Sequence, residues 1–485
     1  MLYYKRLLLA ALFVFYYHCS YAQTKELYRY QDLSHLYYQK QLDSLKKAWA
    51  CPALYKEKET QKQYKELWDG RTEFLTEALK DDNYVYDKEL LSYIDGIIDQ
   101  IIKANKQLIP VKPFVLIDRS ASVNAYAVGG NILAINLGLI TFAQSKEDIA
   151  FTIAHELSHN VLLHPETAIK QRAEWLTSPE YKKSMNAILD SKYERLTRLK
   201  KVFEGYSFSR SRHQRYHESD ADSLAIAMLK KSNIAFDPSF FLRLDSVDII
   251  YKQPLKQPLL QYFSAYNLTI ERAWTQKRSK GLSTRMYNFK DTTHIQDSLK
   301  THPDCIERYN RTLANGNTNA VFTPVPAAMR EKARKMEIWN LYNNMSLTAC
   351  LYMILLEKDK GNKDPWYDFM ATNVITGLYY ADRELDRFNA IGVTPKEYIS
   401  KDYYELQTMF EQIPRENLEQ YCRTLLNASQ WPDSKKDEAA FRRLMSGLTL
   451  DPDFSEAHKT AVAKAFLNGN ESSLYAEFAH RFDKQ

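Results

Sequence analysis

The sequence predicts a mainly α-helical, α+β protein, and three observations lead to this fold class. Apolar residues recur at helical spacing, most clearly in Asp87–Asn105 and in the C-terminal residues 327–485. The chain has 34 tyrosines but only 13 glycines, which suits helices with amphipathic aromatic faces. Strand-like runs occur at Pro113–Ile117 and on both sides of Gly129-Gly130, where a glycine hairpin turn is expected. We therefore expect many helices and one small sheet.

The start of the chain has the composition of a secretory signal peptide. Residues 1–22 combine a basic beginning, an apolar stretch from Leu7 to Phe15, and Ser20-Tyr21-Ala22 before the expected cleavage point. The apolar stretch is shorter than the about 20 residues that a spanning helix needs. His18 is not the small residue that a lipoprotein signal through Cys19 requires. We therefore predict export, with the bacterial periplasm as the compartment and no transmembrane helix in the mature chain.

Composition shifts suggest how the rest of the chain is organised. We predict four parts: a signal peptide at 1–22, a polar helical extension at 23–84, a catalytic domain at 85–315 and an α-helical C-terminal domain at 327–485. The boundary follows from the turn-rich residues Asn315–Asn319 and Pro324-Val325-Pro326. Ala439–Gly469 resembles one tetratricopeptide unit, but a recurrence of about 34 residues is not visible. The C-terminal domain is therefore either tetratricopeptide-like or a capping helical bundle.

Charge and cysteine usage exclude several classes of function. The net charge of +6 is small for 485 residues, and Lys and Arg alternate with acids, so a nucleic-acid partner is not indicated. Beyond the predicted signal peptide, the cysteines are Cys51, Cys305, Cys350 and Cys422. Their wide spacing matches no metal or redox motif, and one disulfide could form in an oxidising compartment.

The most informative stretch is His155-Glu156-Leu157-Ser158-His159. Residues four apart share one face of a helix, so His155 and His159 can bind one zinc ion. Glu156 lies beside that face, where its carboxylate can accept a proton from water. Glu147 and Asp148 suit the start of this helix, and Pro165 marks its end. The motif indicates zinc-dependent hydrolysis of peptide bonds, with one zinc per chain.

A catalytic zinc site usually has a third protein ligand, which must come from elsewhere in the chain. Glu218 and Asp222 stand four apart at the start of another apolar-striped helix. We predict that Glu218 binds the metal and that Asp222 accepts the second ring N–H of a ligand histidine. His213 and His217 are rival ligands without a paired carboxylate in register, so we expect them to line the cleft or face solvent.

Four motifs in this order resemble the gluzincin metallopeptidase family that includes the CAAX prenyl endopeptidases, HtpX and the periplasmic BepA-type proteases. Besides HExxH, Asn124–Ile132 is similar to the family's NAF-x-x-GG stretch and Thr301–Arg308 to its THPxxxxR motif. Glu218–Asp222 is similar to ExEAD, with Asp220 in place of the usual Glu. The resemblance covers roughly residues 85–312. It implies a zincin-like catalytic domain of the soluble, exported type, with a small sheet beside the HExxH helix.

The resemblance also implies roles at the cleft. Asn124, Ala125 and Tyr126 would bind an extended substrate through its main chain. His302 would stabilise the oxyanion, with Arg308 as its partner or as a substrate clamp. Alternatively, His302 could fill the open metal position and restrain activity. The structural alternatives are a turn role for Asn124, an ordinary loop position for His302 and an ordinary surface position for Arg308.

These observations predict a zinc-dependent endopeptidase that hydrolyses extended or misfolded envelope proteins, with Glu156 as general base. The alternative is a client-binding periplasmic chaperone or assembly factor whose protease activity is latent or secondary. The expected partners are protein or peptide substrates. The C-terminal helical domain would bring envelope assembly partners to the cleft.

Overall fold

The computed structural model describes residues 45–47, 49–80, 84–245, 247–276, 305–317, 320–427 and 435–483. For residues 78, 80, 203–216 and 247–249 it describes the backbone alone. The predicted signal peptide, residues 23–44 of the predicted extension, His302 and the side chain of His213 lie outside this description.

The described residues of the N-terminal and catalytic parts form four short strands among many helices. In chain order, the α-helices and strands are α1 Lys58–Lys80, β1 Tyr84–Val85, α2 Lys88–Ala104, β2 Phe114–Asp118, β3 Ala125–Ala127, β4 Ile132–Asn136, α3 Leu137–Phe142, α4 Lys146–Val161, α5 His164–Thr177, α6 Pro179–Leu189, α7 Arg195–Lys231, α8 Ser239–Leu244, α9 Leu259–Ser264 and α10 Cys305–Thr312.

Helices without strands make up the described C-terminal part. They are α11 Ala327–Asn343, α12 Leu347–Asp359, α13 Pro365–Arg383, α14 Arg387–Ile391, α15 Lys401–Gln412, α16 Arg415–Leu426, α17 Lys436–Thr449, α18 Glu456–Leu467 and α19 Ala476–Ala479. Short 3-10 turns occupy Val247–Lys252, Arg272–Trp274, Leu313–Asn315 and Lys396–Tyr398. None of the described helices combines the length and the apolar character needed to cross a membrane.

The four strands form one mixed sheet in the order β1-β2-β4-β3. β2 and β4 are parallel, and the other two pairs are antiparallel. β3 therefore lies at one edge of the sheet, and it contacts the HExxH helix α4. The hairpin from β3 to β4 turns through Gly129, Gly130 and Asn131, which have φ angles of 80°, 63° and 59°. The predicted fold class, mainly α with a small sheet beside this helix, is confirmed.

The sheet separates two hydrophobic clusters, because successive side chains of a strand point to opposite faces. Leu133 and Ile135 of β4 face the large core shared with α2 and α4. Ile132 and Ala134 face a smaller cluster that includes Trp49 and residues of α1. The described end of the predicted N-terminal extension thus covers one face of the sheet and completes the fold around the site.

The C-terminal helices share the large core with the catalytic part. The buried residues of this core extend in sequence from Val85 to Ala479. Residues before and after the predicted boundary near 315–327 therefore belong to the same cluster. A buried polar contact joins the two parts: Thr141 of α3 donates to Glu337 of α11, which is also paired with Arg334. The tetratricopeptide interpretation of 439–469 stays a prediction. Cys51, Cys305, Cys350 and Cys422 are free thiols, so the disulfide considered from sequence is not formed among them.

Candidate metal centre

Helix α4 carries the HExxH motif through the centre of the catalytic part. It begins with a capping box, in which the Ser145 side chain accepts from the backbone N–H of Asp148 and the Asp148 carboxylate accepts from that of Ser145. Most of the following turns are buried, including His155 and Glu156. α4 packs against α7, which carries Glu218 and Asp222. The two motifs, far apart in sequence, therefore meet at one place.

Three donor side chains converge there in the geometry of a metal site. Nε2 of His155 and Nε2 of His159 are 3.0 Å apart. The Glu218 oxygens lie 3.3 Å from Nε2 of His155 and 3.5 Å from Nε2 of His159. Neighbouring donors around tetrahedral zinc, with bonds of about 2.0–2.1 Å, are about 3.3 Å apart. Oε2 of Glu218 is buried without a hydrogen-bond partner in the described part of the chain, so the donor set fits a zinc ion.

The charge states of Glu218 and His159 suit a cation, whereas His155 must first lose a proton. Burial opposes protonation of His155, but Asp222 and Glu218 outweigh it and raise its pKa to about 9. Burial would raise the pKa of Glu218, but its contact with His155 lowers that pKa to about 2. Burial and the neighbouring His155 lower the pKa of His159 to about 3, so this ring is a neutral ligand. A metal must therefore displace a proton from His155, and its affinity should fall as the pH falls.

Asp222 lies behind His155, in the position predicted from its helical spacing. Oδ1 of Asp222 is 2.9 Å from Nδ1 of His155, and the carboxylate is buried. Arg308 donates to both oxygens of Asp222, from Nε at 2.9 Å and from Nη2 at 2.6 Å. The more exposed Arg311 adds a third donor at 3.2 Å. Asp222 is thus held from one side by arginines and contacts the metal-site histidine on the other.

The structure corrects the predicted role of Arg308 as a substrate clamp. Arg308 is only 2% exposed, and its guanidinium lies 4.4 Å from the ring centroid of Phe241. Asp222 engages Nε and Nη2 of Arg308, and Nη1 is buried, so the guanidinium presents no solvent-exposed donor to a substrate. Arg308 instead acts on the site through Asp222. Whether His302 stabilises an oxyanion or fills the metal position stays a prediction, because this residue is outside the described part of the chain.

His164 belongs to the site, although the HExxH motif does not include it. Its Nδ1 lies 2.8 Å from Nδ1 of His159. Its ring stacks on His217, with centroids 4.1 Å apart and planes at 10°. Residues five apart on a continuous helix do not face each other. Leu163, however, has a φ of 55°, so the chain turns after α4 and brings His164 back to His159. His217 lines the cleft beside the donor set.

We predict that His164→Ala weakens zinc binding by about 10- to 100-fold, the usual effect of removing a group that orients a ligand histidine. Competition with a chromophoric zinc chelator measures this affinity directly. His458→Ala, in the distant C-terminal part, serves as the control and should leave it unchanged. Equal affinities of wild type and His164→Ala would show that the 2.8 Å contact does not hold His159 in place.

The edge strand β3 borders the site on the side of Glu156. Asn124 accepts from the backbone of Asn136, and Val128 donates to Ile132, so residues 124, 126 and 128 face β4. Ala125 and Ala127 therefore present their backbone groups to the free edge. The Ala127 N–H donates to Oε2 of Glu156 at 2.8 Å. Among the described residues, both backbone groups of the buried Ala125 and the carbonyl of Ala127 have no hydrogen-bond partner outside the sheet.

The three predicted substrate-binding residues differ in what they offer. Ala125 presents its backbone at the edge, and Asn124 also lines the cleft. Tyr126 also lines the cleft, but its backbone faces β4 and its hydroxyl donates to Asp118 at 2.6 Å. It therefore has no main-chain group for a substrate. The cleft itself is a cavity of about 650 Å³, large enough for several residues of an extended peptide.

The edge strand is held from outside by α1 and α5. Arg71 of α1 donates from Nε to the carbonyl of Val128 at 2.8 Å and from Nη2 to that of Gly129 at 2.6 Å. Glu166 of α5 accepts from the N–H of Gly130 at 2.8 Å. A Cβ at Gly130 would lie 2.8 Å from Nη2 of Arg71, so this clamp requires glycine there. Nothing in the sequence pattern pointed to Arg71.

Comparison with known proteins agrees with this geometry. Residues 91–314 match the model of peptidase family M48. Residues 91–314 are therefore similar to the M48 peptidases. The suspected gluzincin relationship is confirmed at this level, and the match supports a metallopeptidase role for the segment.

A Vibrio cholerae serotype O1 protein that carries the name beta-barrel assembly-enhancing protease is similar over 165 residues, with 27% identity. The similarity covers 33% of this chain and 34% of the Vibrio protein. The chain thus spans about a third of the length of this relative. Arg71 lies outside the segment that matches family M48.

Proposed function

We propose that the chain is a zinc-dependent endopeptidase. The observation that carries the proposal is the convergence of His155, His159 and Glu218 at distances of 3.0–3.5 Å, with Glu156 beside them at the cleft. When bound, zinc lowers the pKa of water and polarises a carbonyl. Glu156 would take the proton of the attacking water and deliver it to the leaving amine. Burial raises the pKa of Glu156 to about 7, which suits both transfers near neutral pH.

The edge strand defines the class of substrate that we propose. A peptide that pairs with Ala125 and Ala127 is recognised by its main chain, so many side-chain sequences are compatible. Only a segment without its own tertiary contacts can supply such a strand. Together with the predicted signal peptide and the name of the Vibrio relative, this supports extended or misfolded envelope proteins as substrates. The C-terminal helices would then bring assembly partners to the cleft.

Zinc content and cleavage of casein, measured on the same preparations, test the proposed function. We expect one zinc per chain and cleavage in the wild type, and loss of both in Glu218→Ala, because two ligands do not hold a catalytic zinc firmly. Removal of zinc with a chelator should abolish cleavage, and added zinc should restore it. Zinc binding without cleavage would favour the alternative of a client-binding chaperone or assembly factor. A wild type without zinc would contradict the metal site.

Arg71→Ala tests whether the clamp on the β3–β4 hairpin positions the substrate. We expect KM to rise about tenfold, as for a loss of about 1.4 kcal/mol in binding, with little change in kcat. The reason is that Arg71 holds the hairpin carbonyls but does not contact the donor set. Arg172→Ala is the matched control, since it removes a positive charge from the same cleft lining. Equal effects of the two variants would point to cleft charge and not to strand position.

A further inference from the structure

The connection between α6 and α7 exposes three large apolar side chains. Leu189, Tyr193 and Leu196 are 60%, 78% and 82% exposed. Arg195 donates to the carbonyls of Leu189 and Ser191 at 2.7 Å each, which joins the start of α7 to the end of α6. The three side chains therefore lie on one fixed helical connection, which we call the apolar tip. A group of exposed apolar side chains commonly marks an interaction site.

Positive charge is concentrated around the apolar tip. Residues 179–201 contain seven Lys or Arg and three Asp or Glu, a net +4 in a chain whose total is +6. Exposed members of this group include Lys183, Lys192, Arg198 and Lys201. The remaining charges of the chain nearly balance. Apolar side chains surrounded by Lys and Arg are the composition of a segment that binds anionic lipid surfaces.

The apolar tip is separate from the peptidase cleft. Leu196 and Glu218 lie on the same helix, α7, 22 residues apart. At 1.5 Å per residue this separation is about 33 Å along the helix. A peptide in the cleft therefore does not account for the exposed side chains.

We propose that the apolar tip docks on an anionic lipid bilayer. Leu189, Tyr193 and Leu196 enter the interfacial region, and the surrounding Lys and Arg contact the headgroups. A stable protein partner usually covers about 800 Å² on each side, far more than three side chains provide. A fluid bilayer accepts a small protruding tip. Docking would hold the donor set within about 33 Å of the membrane surface, where unassembled membrane proteins are accessible.

Hydrogen–deuterium exchange with vesicles tests the docking locally. We expect residues 185–202 to be protected by vesicles of equal phosphatidylglycerol and phosphatidylcholine, and not by pure phosphatidylcholine. The local measurement distinguishes the apolar tip from the apolar stretch Leu7–Phe15. Equal protection by both lipids, or protection confined to other residues, would overturn the proposal. Equal protection by soluble polyglutamate would do so too, since the partner would then be an acidic protein surface.

Vesicle sedimentation of variants provides the quantitative test. The triple variant Leu189→Ser, Tyr193→Ser, Leu196→Ser should bind at least about tenfold more weakly, because it removes most of the inserted apolar area. Its positions are exposed, so folding should be unaffected. The control is Leu385→Ser with Phe388→Ser, at positions that are 88% and 69% exposed on a different connection. Unchanged binding of the triple variant, or equal losses in triple and control variants, would refute docking through the tip.

Discussion

Glu156→Gln should lower peptide hydrolysis by about 10²- to 10⁴-fold and leave zinc binding intact. The expected factor is that of a lost general base. Glu156 is not one of the proposed metal ligands, which are His155, His159 and Glu218, so these ligands stay in place. Glutamine has nearly the same shape, and its carbonyl can still accept from the N–H of Ala127, which lies 2.8 Å from the carboxylate in the wild type. Initial rates with a quenched fluorescent peptide, at equal zinc occupancy, measure the effect.

The comparison with Glu218→Ala separates catalysis from metal binding. Glu218→Ala should lose zinc and activity together, whereas Glu156→Gln should lose activity alone. If the two variants lost zinc equally, Glu156 would have a structural role in the donor set. If Glu156→Gln cleaved the peptide at the wild-type rate, the proton transfers would have to be assigned to another group. A chaperone function, in contrast, would survive Glu156→Gln and would still protect an unfolding client from aggregation.

The donor set could be predicted from sequence because each of its parts lies within one helical turn. His155 and His159 are four apart on α4, and Glu218 and Asp222 are four apart on α7, so helical periodicity alone places each pair on one face. Three strands of the small sheet could be predicted as well, since they are short apolar runs with a Gly-Gly turn between the last two. β1 at Tyr84–Val85 was not predicted, because two residues are too few to show a strand pattern. The same spacing predicts that Asp222 contacts a ligand histidine, and the structure identifies that histidine as His155.

The parts that could not be predicted depend on long-range packing or on a local break in a helix. His164 reaches His159 because Leu163 adopts a positive φ, and no residue type at Leu163 signals that conformation. Arg71 contacts a carbonyl 57 residues away, and α1 is too polar to be recognised as part of the sheet's core. Arg308 is paired with a carboxylate 86 residues away. The THPxxxxR motif indicated that Arg308 lies near the cleft. It did not indicate that the guanidinium donates to Asp222.

Replacing Arg308 should have the largest effect on stability. In Arg308→Met, Asp222 loses two hydrogen bonds from a side chain that is 2% exposed, while its own carboxylate remains 1% exposed. Removing one partner of a buried ion pair costs about 3–5 kcal/mol, because the other charge stays in a low-dielectric environment. The midpoint of urea unfolding, measured with chelator present so that zinc does not contribute, reports this loss. Arg311→Ala removes a more exposed arginine from the same carboxylate and should cost less than about 1 kcal/mol.

A double-mutant cycle decides whether Arg308 acts through Asp222. Asp222→Asn alone should also destabilise the protein, because it leaves the Arg308 guanidinium without its counter-charge. Arg308→Met combined with Asp222→Asn removes both charges, so the double variant should be more stable than the sum of the single losses by about 1–3 kcal/mol. Additive losses would mean that Arg308 stabilises the fold through Phe241 and not through the carboxylate. In that case Asp222 would have to hold His155 without help from Arg308, and zinc affinity would be insensitive to Arg308→Met.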